Sequence, residues 1–82
     1  MKNANIFTSL NTYLIGWLAY RGHEYWTKMN DKGRVVFCFD DNPALRADIK
    51  LYESREITGN IARYADAVRD VKSAIYMKKE ST

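Results

Sequence analysis

Few side chains in this 82-residue chain have the types that chemistry needs. His23, the single histidine, stands beside Glu24, which is the arrangement of a general base steadied by a carboxylate. A histidine in a turn, without catalytic duty, is the simpler account. Cys38 is the single cysteine, and its place inside an apolar run makes it a small buried hydrophobe rather than a nucleophile. Asp40 and Asp41 have the oxygen ligands a hard cation wants, yet Pro43 follows so closely that helix capping explains them first. No glycine-rich phosphate loop and no paired metal-ligand spacing accompanies them, so the residues call for no cofactor and no metal, and the chain is expected not to be an enzyme.

Nucleic acid is the next ligand to weigh. The stretch KGRVVFCF, residues 32–39, resembles the RNA-recognition signature K/R-G-F/Y-G/A-F-V-x-F/Y. The third and fifth positions of that signature stack bases, and here they are Arg34 and Val36. A middle strand of a small core is therefore the better reading of these residues. A separate basic set, Arg63, Arg69, Lys72, Lys78 and Lys79, lies near the C-terminus with Tyr76 available for stacking. Asp66 and Asp70 interleave with it at spacings of three and four residues, which favours ion pairs on a solvated helix face. Lys78 and Lys79 also suit the negative end of a helix without any ligand.

A protein interface accounts for more. Eleven aromatic residues are many for so short a chain to bury, and Trp17, Tyr20, Tyr25 and Trp26 are the ones expected to meet a partner. That partner is another protein or a second copy of the chain.

The elements that must position these groups can be read from spacing. Asn5–Phe7 is a short strand, and Thr8 or Ser9 caps a helix that runs to Arg21, where Gly22 supplies a left-handed stop. Leu10, Tyr13, Leu14, Trp17 and Leu18 form one face of that helix, with Ile15, Ala19 and Tyr20 on the other. A helix apolar over more than half its circumference is central to its fold or covered by another molecule. Residues 24–29 and 34–40 are strands joined by Asn30-Asp31-Lys32-Gly33, whose glycine can take a positive φ. In the second strand Val35, Phe37 and Phe39 point one way and Val36 and Cys38 the other, so both faces are apolar. Such a sheet has helices on both sides or leaves one face for a partner.

Asn42 or Asp41 then caps a helix with Pro43 at its first position and Leu45, Ile49 and Tyr52 inward. A last helix starts near Thr58 or Asn60 and runs to about Met77, its inward stripe being Ile61, Tyr64, Ala65, Val68, Val71 and Ile75. The order is β-α-β-β-α-α: one α+β domain over residues 1–82, with a short antiparallel sheet packed against three helices.

Composition agrees with this. Apolar residues at 46% and charged residues at 28% are ordinary for a globular chain. The net charge of +3 is spread out: residues 1–40 hold five Lys/Arg against three Asp/Glu, and residues 41–82 hold eight against seven. One cysteine allows no internal disulfide and suits a cytoplasmic protein. The uncharged run from Asn3 to Tyr20 is interrupted by Asn5, Thr8, Ser9, Asn11 and Thr12, so no membrane partner is expected.

With Gly22-His23, "VVFCFDDNPAL" (residues 35–45) and "DAVRDVK" (residues 66–72) in view, the chain resembles a small family of prokaryotic and phage-associated proteins known as a domain of unknown function. The resemblance spans nearly the whole chain. It implies a Phe-x-Phe strand running into an acidic, Pro-started helix and a final amphipathic helix, in a viral or mobile-element setting. The expected function is a small cytoplasmic protein-binding protein, self-associating, and an inhibitor or accessory factor if it serves a phage. The alternative is nucleic-acid binding through the basic last helix.

Overall fold

The computed structural model describes residues 5–80, apart from the side chains of residues 79 and 80. Its elements are β1 (Ile6–Ser9), α1 (Thr12–Tyr20), β2 (Tyr25–Met29), β3 (Val35–Asp40), α2 (Pro43–Glu53) and α3 (Ile61–Glu80). The three strands form one antiparallel sheet in the order β1-β3-β2. This is the expected α+β architecture.

Local signals set most of the boundaries. Asn42 caps α2, its Oδ1 accepting from the Leu45 N–H at 2.8 Å, with Pro43 at the first helical position where a missing N–H costs nothing. In the β2–β3 turn the Asn30 Oδ1 accepts from the N–H groups of Lys32 and Arg34, both at 2.9 Å, and Gly33 takes φ +78°. Asn60 caps α3 by accepting from the Arg63 N–H at 3.0 Å.

The start of α1 differs from expectation. Thr8 and Ser9 pair with Cys38 and Phe37 of β3, so they extend the strand and cannot cap a helix. Asn11 is the cap instead, accepting from the N–H groups of Tyr13 and Leu14. Leu10 therefore precedes the helix and is exposed, as is Tyr13, whereas Ile15 joins the core. Leu14 through Leu18 are buried without a break, so α1 is a central helix, wrapped by its own chain.

Length explains a second difference. α1 has nine residues and α3 twenty, rises of about 13 Å and about 30 Å. Only the middle of α3 can be covered. Val68 and Val71 are buried and Tyr64 and Ile75 half-buried, but Ala65 is exposed and Ile61, expected inward, is 82% exposed.

The core joins Val35, Phe37 and Phe39 of β3 to Leu14, Ile15, Trp17 and Leu18 of α1, Leu45 and Ile49 of α2 and Val71 of α3. Val36 and Cys38 are buried yet outside this cluster, because alternate β3 residues point to the other side of the sheet. All three helices lie on the first side. Among the described residues no helix covers the other face, where Thr8 and Trp26 flank Cys38 and Lys28 flanks Val36.

Candidate functional site

The single histidine belongs to a buried polar cluster. Gly22 at φ +96° turns the chain after α1, bringing Arg21 and His23 back over α2. Asp48, 7% exposed, receives both: its Oδ1 accepts from Arg21 Nε at 3.1 Å, and its Oδ2 lies 2.7 Å from His23 Nε2. The indole Nε1–H of Trp17 donates to the Asp48 carbonyl oxygen at 2.8 Å. The carboxylate beside His23 is thus Asp48 and not Glu24, which is exposed. Asp48 was legible only as an anomaly, a charge within the apolar stripe Leu45, Ile49, Tyr52 at helical spacing. A buried carboxylate needs such donors, since loss of its partners would leave its charge uncompensated.

The chemistry this cluster can perform follows from its neighbours. A carboxylate that holds an imidazole is two-thirds of a nucleophilic triad, but among the described residues no hydroxyl or thiol is hydrogen-bonded to His23. The Cys38 thiol sits on the opposite face of the sheet, 1% exposed. What the cluster does in the fold is tie the α1–β2 connection to α2. Asp41 is engaged nearby: Arg46 donates to both its oxygens, at 2.9 and 2.7 Å, and these bonds hold the Asp41 carboxyl below the usual carboxylate range. Among the described residues no three metal-ligating side chains converge.

The aromatic residues expected at an interface separate in space. Trp17 is 2% exposed, a core residue and not a surface one, because α3 and α2 close over α1. Tyr25 is half-buried on the helix side of the sheet, with its ring edge against Phe37 at 5.0 Å and Phe39 at 5.9 Å. Tyr20 stacks on Trp17 at 5.7 Å, and its hydroxyl accepts from the Asn60 N–H at 2.8 Å. Of the four, Trp26 is the exposed one. It is 43% exposed on the open sheet face, where Ile6 is 53% exposed and Val36 and Cys38 form an apolar floor.

The basic set is dispersed. At about 100° per residue Arg63 and Lys72 project from opposite sides of α3. Arg69 pairs with Asp66 at 3.2 Å, and Lys72 Nζ stands 5.5 Å from the centre of the Tyr13 ring. Lys78 is half-buried, and the Lys79 side chain lies outside the described residues. Tyr76 is 69% exposed on the side that carries Arg69 and Lys72. Within KGRVVFCF, Phe37 and Phe39 are fully buried under the helices and offer no ring to a base.

Residues 4–77, most of the chain, match the family described as Domain of unknown function (DUF5659). No curated protein and no solved structure matches.

Proposed function

We propose that this chain, which belongs to the DUF5659 family, is a non-enzymatic protein-binding domain that docks through the open face of its sheet. The observation that carries this reading is a pair of large apolar side chains half out in solvent on the two outer strands, Trp26 opposite Cys38 and Ile6 opposite Asp40, on either side of the buried Val36 and Cys38 of β3. Tryptophan flanked by apolar neighbours is the usual make-up of an interface hot spot.

The occupant we propose is a second copy. Lys28 stands at the Val36 end of this face and Asp40 at the Ile6 end, so a copy turned end for end sets Lys28 over the other's Asp40. Strands of about five residues, at about 3.3 Å each and about 4.8 Å apart, make a face of roughly 250 Å². The pair then buries on the order of 500 Å², below the ~1,200 Å² of stable complexes, so the dimer is weak and concentration-dependent.

Sedimentation from about 10 μM to about 1 mM tests this. The expected result is reversible dimerisation that Trp26→Glu abolishes without loss of fold. A wild type that stays monomeric throughout overturns it. The unpaired Cys38 suits a reducing cytoplasm, where we place the chain, and in a phage or mobile element the same face would serve an inhibitor or accessory factor.

A second reading rests on Tyr13, Lys72 and Tyr76, two exposed rings and a cation near one another on the outer side of α1 and α3, a combination that single-stranded nucleic acid can use. Retardation of labelled single strands at low salt, lost at moderate salt, would support it; no retardation even at low salt removes it.

A further inference from the structure

The loop from α2 to α3 meets α1 at Tyr20, where the Asn60 N–H donates to the Tyr20 hydroxyl, but does not close over the rest of it. Between it and the Trp17–Tyr20 pair lies a cavity of about 160 Å³, walled by Trp17, Tyr20 and Tyr64 and rimmed by Ile57, Gly59 and Ile61. Its size is that of an apolar cavity, of about 150 Å³, known to admit benzene. The walls are fixed by mutual packing: Tyr64 stands edge-on to Trp17 at 6.2 Å and to Tyr20 at 6.3 Å. Gly59, at φ +124°, leaves room for the Tyr20 hydroxyl where any Cβ would collide with it.

The polar groups narrow the ligand. Tyr64 donates its hydroxyl proton to the Tyr13 carbonyl at 3.0 Å, so that proton is committed. The Tyr20 oxygen accepts from Asn60, while its own proton has no protein acceptor among the described residues. The Arg21 guanidinium already lies 5.6 Å from the centre of the Trp17 ring, which disfavours a second cation there.

We infer that this cavity binds a neutral or anionic ring of benzene size that carries a hydrogen-bond acceptor, the ring against Tyr64 and the Ile57 and Ile61 side chains and the acceptor on the Tyr20 hydroxyl. Such a ring comes either from a free small aromatic molecule or from an aromatic side chain on a peptide. The inference is independent of the sheet face, which lies on the other side of the molecule.

The full chain, labelled with ¹⁵N, is titrated with benzamide and with N-acetylphenylalaninamide while the amide signals of Gly59, Asn60 and Ile61 are followed. Saturable shifts with an affinity of about a millimolar are expected for benzamide. If both probes bind, a peptide side chain can be the source; if benzamide alone binds, the source is a free molecule. Benzylammonium, the same ring with a cation, should bind several-fold more weakly. Ile57→Phe, at the rim, should fill the space and weaken benzamide at least about tenfold. Tyr20→Phe, a second variant in case the first disturbs the loop, should weaken benzamide about fivefold and leave toluene unchanged. No saturable shift with either probe, or unchanged benzamide affinity in both variants, overturns the inference.

Discussion

Asp48→Ala tests whether the buried cluster holds the α1–β2 connection onto α2. The substitution removes both acceptors and leaves Arg21 and His23 without their partner. The two losses differ. The Arg21 side chain is 44% exposed and can turn to water, so its bond is discounted to about 0.5 kcal/mol. The His23 side chain is 17% exposed, and a bond to a carboxylate in such a site is worth about 1.5–3 kcal/mol. The sum is about 2–3.5 kcal/mol, and the Trp17 bond to the Asp48 backbone is unaffected. At about 4–8 °C per kcal/mol for a chain of this size, the midpoint of thermal unfolding should fall by about 8–28 °C. Urea unfolding followed by circular dichroism measures the change, and His23→Ala with the double variant should return a coupling of about 1–2 kcal/mol. A loss under about 0.5 kcal/mol, or a gain in stability, would refute the account of the cluster as a latch.

Gly16→Ala should destabilise the chain even though alanine favours a helix by about 1 kcal/mol, because an added Cβ would lie 3.1 and 3.2 Å from the Val68 backbone Cα and N. Crowding backbone between α1 and α3 costs about 1–3 kcal/mol, so denaturant melts should show a net loss of about 1 kcal/mol, and a stabilised variant would mean that the helices part freely. Asp41 should titrate by NMR below the ordinary midpoint of about 3.9, and Arg46→Leu should raise that midpoint towards it. Because the folded value is depressed, the pair's contribution to stability is present above the unfolded midpoint and is lost as pH falls through the folded one.

Much of this protein was decided within a few residues of chain. The Asn42-Pro43 start of α2, the Asn30–Gly33 turn and the Gly22 stop are local: each needs only a side chain of the right type and a backbone angle, so each was legible in sequence. The alternation of β3 likewise announced two apolar faces. Which face is covered was a different kind of question. It depends on all three helices choosing one side, and on a nine-residue α1 being too short to cover a twenty-residue α3. Thr8 and Ser9 looked like caps because their partners, Cys38 and Phe37, are about thirty residues away in sequence. His23 found Asp48, 25 residues on, and not its neighbour Glu24. Trp17 was buried by helices whose arrival its own surroundings do not encode. Sequence thus determined the elements, because caps, turns and periodicity act over one turn of chain; tertiary packing decided what is buried, what is paired and what is left open, because those depend on contacts between distant segments.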